Sequence, residues 1–238
     1  MTTLRAPSVP ETRPVPPDLR RATRVFAALL LPIGPALIAA LRYVMPYSTT
    51  DDEKKIVREV AAHQGTQSAV VWLGFAGVLL LVPAVLWVAR LCRPRAPRLT
   101  TIALLLLVPG YTALAFLVAS DAAVLFAVRH HLPAGTAADM YTGLHPVIYA
   151  AGGAFVLGHV VGTVLLGVAL LRTRVVPRWA AWATIAAQPL HFIAAIIVSS
   201  HALDLVGWGL NAVGFAAVSV AILRRRDDEW DLAPRAGR

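Results

Sequence analysis

An all-α, polytopic bundle of six transmembrane helices is the fold class this 238-residue sequence predicts, and three observations predict it. Apolar residues make up 58% of the chain and charged residues only 15%, too few charges to clothe a soluble domain of this size. The apolar residues fall into six runs of roughly 20, long enough to cross a hydrocarbon core about 30 Å thick. Arginines crowd every second break between those runs.

Residues 1–18 are proline-rich (Pro7, Pro10, Pro14, Pro16, Pro17) and carry almost nothing to bury, so residues 1–20 are assigned to a disordered cytoplasmic tail. Arg20, Arg21 and Arg24 then introduce the first apolar run, residues 25–45. It is too long for a signal peptide, contains Pro32 and Pro35, and ends in Arg42, Tyr43 and Tyr47 where a cleavage site would need small residues. We therefore read an uncleaved first span. Thr50 followed by Asp51, Asp52 and Glu53 makes a helix start, and Ile56, Val57, Val60 and Ala61 share one face. A short amphipathic helix on the outer side is expected there, capping the bundle. The remaining spans are residues 69–89, 101–128, 147–171, 179–199 and 203–223. The membrane domain is thus 21–226, followed by a tail, 227–238, whose mixed charges around Trp230 predict a solvated end.

Orientation follows from the basic residues. With both termini inside, 17 of the 22 lysines and arginines lie on the inner side, and only Arg42, Lys54, Lys55, Arg58 and Arg129 lie outside. That asymmetry is the one that holds basic loops on the cytoplasmic face. The net charge of +9 is therefore explained by topology and by anionic lipid at the inner face, and nucleic acid is not expected as a partner. The single cysteine, Cys92, excludes an internal disulfide and a cysteine-built zinc site.

A weak repeat is also visible. The second, fourth and sixth spans each place a glycine (Gly77, Gly162, Gly214) before an aliphatic run ending in arginine, as three tandem helical hairpins would. Ala154, Gly158 and Gly162, spaced by four, form a small-residue stripe that lets another helix approach closely, and His159 beside it is expected to face the interior.

The polar residues inside the spans are the functional candidates. On the fifth span Thr184, Gln188, His191, Ala195 and Ser199 lie along one helical face, with Pro189 interrupting the hydrogen-bond ladder within it. At about 1.5 Å per residue, Asp121, His191 and Asn211 each lie roughly 12 to 14 Å below the outer ends of their helices, with Gln188 and His159 slightly deeper. A lone ionised Asp121 in lipid is costly, so it is expected to be neutral, paired with a histidine or with Arg42, or open to water. These levels predict an outer-facing polar pocket lined by Asp121, His159, Gln188, His191 and Asn211. His63, His130, His131, His145 and His201 fall in outer connections, where with Asp139 and Asp204 they offer a metal site or an acidity sensor. No H-E-x-x-H or comparable ligand spacing, phosphate-binding loop or nucleophile elbow is present, so no catalytic residue, metal site or cofactor is assigned.

The segment from Gly158-His159-Val160-Val161-Gly162 through Leu170-Leu171-Arg172-Thr173-Arg174-Val175-Val176-Pro177-Arg178-Trp179-Ala180-Ala181, then Gln188-Pro189-Leu190-His191, resembles uncharacterised six-span integral membrane proteins of actinobacteria. The Ala61-Ala62-His63 segment is similar too, and the resemblance covers most of residues 20–226. It implies a fold and a location in the cell membrane, and carries no activity. The expected function is non-enzymatic: binding of a small ligand or cation in the outer pocket, for transport or sensing. The alternatives are a membrane redox protein holding haem between His159 and His191, and an accessory subunit of a larger membrane complex.

Overall fold

A computed structural model describes residues 17–143 and 145–233. The expected N-terminal tail lies almost wholly outside them, as does the extreme C-terminus. Among the described residues six helical segments are long and apolar enough to cross a membrane. The first is split by Pro32, which has no N–H to continue the ladder: α1 (Arg20–Leu30) and α2 (Ile33–Val44) together make one span. A short helix, α3 (Glu53–Ala62), precedes α4 (Gln64–Cys92) and α5 (Pro97–Arg129). The small helix α6 (Ala134–Ala138) runs into a π-helical turn, Asp139–Gly143, before α7 (Val147–Thr173). The fifth span is α8 (Arg178–Phe192) continued by a π-helical segment, Ile193–Val198, and the sixth is α9 (His201–Leu223). The first three spans begin four or five residues before their apolar runs, and the last three match theirs within two residues. Apolarity marks only what lipid must cover, whereas backbone hydrogen bonding continues into the headgroup layer.

The spans form a ring in chain order. α2 packs on α4, α4 on α5, α5 on α7, α7 on α8, α8 on α9, and α9 closes back on α2. Each hairpin uses the same device: the glycine of its second helix receives a side chain from its first. Ile38 enters the space at Gly77, Leu107 that at Gly162, and Thr184 that at Gly214. Without hydrophobic drive between helices in lipid, such close contacts are the main source of association.

The two ends are closed differently. At the end carrying the 45–63 and 130–146 connections, α3 lies over α5 and α6. Its N-terminus is capped by the Asp52 carboxylate, which accepts from the Lys55 N–H at 2.9 Å, and Lys55 holds the Asp51 carboxyl below its usual range through a 2.7 Å ion pair. Ile56, Val57 and Val60 are buried, but Ala61 is exposed. The buried face is therefore narrower than the sequence pattern implies. At the arginine-rich end a last helix, α10 (Asp227–Trp230), folds back. Trp230 is buried, not solvated as its charged neighbours implied. Its indole N–H donates to Thr23 Oγ1 at 3.3 Å and the Arg90 guanidinium sits 4.7 Å from its ring centre, while Arg24 pairs with Asp227 at 3.0 Å.

Candidate functional site

The site grows from the ends of α2, α5, α8 and α9 at the end away from the arginines. Gly207 on α9 has no side chain, and a Cβ there would lie 2.8 Å from the His191 nitrogen. The two backbones therefore touch, and Asp204, one turn along α9, comes into reach of the His191 imidazole. His191 Nδ1 and Asp204 Oδ1 are 2.5 Å apart, and the other carboxylate oxygen accepts from Arg42 Nε at 2.5 Å. Arg42 also donates to Thr49 Oγ1 at 2.7 Å. One buried carboxylate thus ties the first span, the fifth span and the sixth together. It also orients the imidazole, leaving Nε2 as the nitrogen available to a ligand.

Asp121 takes a different partner. The Tyr47 hydroxyl, brought in by the connection after α2, donates to Asp121 Oδ1. Burial and the adjacent Asp121 carboxylate push the Tyr47 phenol well above its ordinary value, and the same two causes raise Tyr141, whose ring meets Tyr47 edge-on at 6.1 Å. Tyr47 therefore stays a donor throughout the physiological range.

Between these groups lies a cavity of about 410 Å³. Arg42, Thr49, Ser120, Asp121, Tyr141 and His191 supply its polar wall; Ile38, Leu41, Leu114, Leu117, Phe155 and Val156 supply much of the apolar remainder, and Trp208 lines it too. Of the five residues expected to line a pocket, Asp121 and His191 do. His159 does not: it is buried behind the wall, stacked on Phe155 with ring centres 4.1 Å apart and on Trp208 at 5.9 Å, its Nδ1 on the Phe155 carbonyl oxygen at 2.5 Å. Gln188 and Asn211 are also fully buried and away from the lining. Among the described residues the His159 Nε2, both Gln188 and Asn211 amides, and the Trp208 indole N–H have no hydrogen-bond partner. Orphaned polar atoms cost roughly 1–3 kcal/mol each, so so many within one bundle form a polar layer suited to bridging groups.

Of the alternatives expected for Asp121, the third fits: it lines the cavity and bonds to Tyr47, while the histidine and Arg42 offered as its partners share Asp204 instead. Asp204 belongs to the first turn of α9 and is buried, because the sixth span starts at His201, two residues before its apolar run. The histidine rings of His159 and His191 are 5.2 Å apart and inclined at 54°, with Trp208 against both. No slot separates them for a planar macrocycle, so they do not form a haem-ligand pair. Among the described residues no three His, Cys, Asp or Glu side chains gather as a metal site.

Tyr47 and Tyr141 were missed as site residues, and Asp204 was grouped with the outer histidines instead of with His191 and Arg42. A signal did exist for Asp204: it sits four residues into the sixth span, as Arg42 sits three from the end of the first, so opposite charges stand at similar depths. Tyr47 and Tyr141 lie in connections, where only tertiary folding sets their direction.

No curated protein and no solved structure matches the chain. A family model does match, from the first span to the end of the sixth, residues 25–223, described as a domain of unknown function (DUF4386), and the chain belongs to that family.

Proposed function

We propose that this multi-pass membrane protein binds a small ligand with an apolar body and one cationic, hydrogen-bond-donating head in the cavity beside Asp121 and His191. The observation that carries this reading is the charge balance around the cavity. Asp121 in the wall and Asp204 behind it, bonded to Arg42 and His191, set two carboxylates against one guanidinium and one titratable imidazole, with Glu53 adding negative potential beyond Tyr141. The set is neutral when His191 binds a proton or when a monocation occupies the cavity. His191 Nε2 and the second Asp121 oxygen offer acceptors to such a head, and 410 Å³ is within the usual range of small-molecule sites. Binding is the step that transport and sensing share.

In lipid nanodiscs, n-hexylamine is expected to bind and hexanoate is not. Asp121→Asn should weaken hexylamine about tenfold or more, since a desolvated charge pair loses one partner. Acidification should weaken it too, because protons on His191 and Asp121 meet the same charge requirement. Equal binding of hexanoate, or unchanged affinity in the variant, would overturn the proposal.

The basic residues support a cytoplasmic membrane location with both termini inside, anionic lipid at the arginine-rich face, and the cavity toward the outer side. We place the membrane domain at 21–226, between an N-terminal tail, 1–20, and a C-terminal segment, 227–238, whose first residues fold back as α10. The actinobacterial kinship rests on the Gly158 to Ala181 hairpin and the Gln188 to His191 motif. Gly65, exposed at the start of α4, tests the orientation. In Gly65→Cys an impermeant maleimide should label intact cells, with buried Cys92 silent; labelling only after lysis would reverse the topology.

A further inference from the structure

The cavity is tied shut toward the water and open toward the membrane. On the water side Tyr47 bonds to Asp121, Arg42 to Thr49 at 2.7 Å, and Thr50 Oγ1 lies 2.6 Å from Ser199 Oγ, with α3 and α6 nearby on the same end. On the other side, the exposed lining residues are concentrated on two neighbouring spans: Tyr149 (65%) and Gly153 on α7, Phe192 (37%) and Ile196 (41%) on the fifth span, with Thr49 at the upper corner.

α7 itself changes character along its length. From Gly158 inward it is locked to α5: a Cβ on Gly158 would lie 2.5 Å from the Leu106 carbonyl oxygen. Nearer its outer end it stands clear on one side, since a Cβ on Gly153 would meet nothing within 4 Å and one on Gly152 would find its nearest atom at 3.9 Å. The π-helical end of the fifth span packs on α9 instead of following α7. A slot results between the fourth and fifth spans. Gly153 and Phe192 each sit six residues from the end of their span, about 9 Å deep, within the hydrocarbon layer.

We propose that the cavity is loaded sideways from the bilayer, through this slot, by a single-chain amphiphile with a cationic head; this rests on the ligand reading above. The slot runs from Thr49 and Arg42, at headgroup level, down to Gly153 and Phe192 at acyl-chain level. An amphiphile already resting in the leaflet has its head and its chain at those two depths. An anionic head would meet Asp121, whereas a cationic one supplies the missing charge.

The test uses the full chain in nanodiscs, with n-decylamine as the probe and Gly153→Cys carrying a benzyl group attached by a thiosulfonate reagent. The attached group should slow decylamine association at least tenfold, and reductant should restore it in the same folded protein. Wild-type chain given the same reagent is the control, because Cys92 is buried. Gly153→Trp should reproduce the block permanently. Unslowed association in both blocked forms would overturn lateral entry while leaving the cavity reading intact. Equal binding of decyl sulfate would overturn the cationic class. Failure of the untouched protein to bind decylamine at all would remove the cavity reading itself.

Discussion

Asp204→Ala is expected to cost about 3–5 kcal/mol of stability in detergent-micelle unfolding, the range seen when one partner of a buried ion pair is removed. Its carboxylate is the sole ionic partner of Arg42 and the partner of His191 among the described residues, and its side chain is 2% exposed. Deletion leaves a guanidinium and an imidazole without their acceptor inside the helix ring. It also unties α2 from α9, the contact that closes the ring, so protection of both helices should fall together in hydrogen exchange. Replacing the charged pair as a unit, Arg42→Met with Asp204→Leu, should recover much of the loss, since two desolvation costs vanish with the attraction. Hexylamine binding should weaken in that double variant although the net charge is unchanged, because the head then lacks an oriented His191. If Asp204→Ala unfolds within about 1 kcal/mol of the parent, the pair is water-filled and contributes little.

Gly158→Leu is the second large effect. Its Cβ would lie 2.5 Å from the Leu106 carbonyl oxygen and 2.8 Å from the Gly110 Cα, both backbone atoms that cannot swing aside. α5 and α7 must separate, which also withdraws Phe155 from the cavity wall and His159 from its stack. The expected loss exceeds about 3 kcal/mol, above the usual range for overpacking, because no side-chain rotation relieves it. Gly153→Leu, five residues away on the same helix, should change stability little. Equal losses for the two variants would show that α7 is not gripped at Gly158 and free at Gly153.

The spans were legible because a bilayer imposes one rule on every segment that crosses it: enough apolar residues in a row, with the backbone bonded within itself. Gly158 and Gly162 of the small-residue stripe on α7 were legible for a related reason, since helix spacing by four survives any tertiary arrangement, but Ala154, in phase with them, is exposed. Asp121 and His191 were recognisable as residues whose burial in lipid demands a purpose. Their partners were not. Depth counted along straight helices separates His191 from Asp204, and nothing local to either residue announces that Gly207 lets the two backbones touch.

Trp230 and Ala61 show the same limit at the surface. A residue among charges is read as solvated, and an alanine in phase with three aliphatics is read as buried; each is decided by what another segment places beside it. That this chain is a six-span helical bundle, where its spans lie and which polar groups sit within them all follow from composition and period. That His191 answers to Asp204 and Asp121 to Tyr47, and that the cavity opens between the fourth and fifth spans, follows from how the helices pack. Hydrogen bonds of 2.5 to 3 Å depend on helix contacts far apart in the chain, and no periodicity encodes those distances.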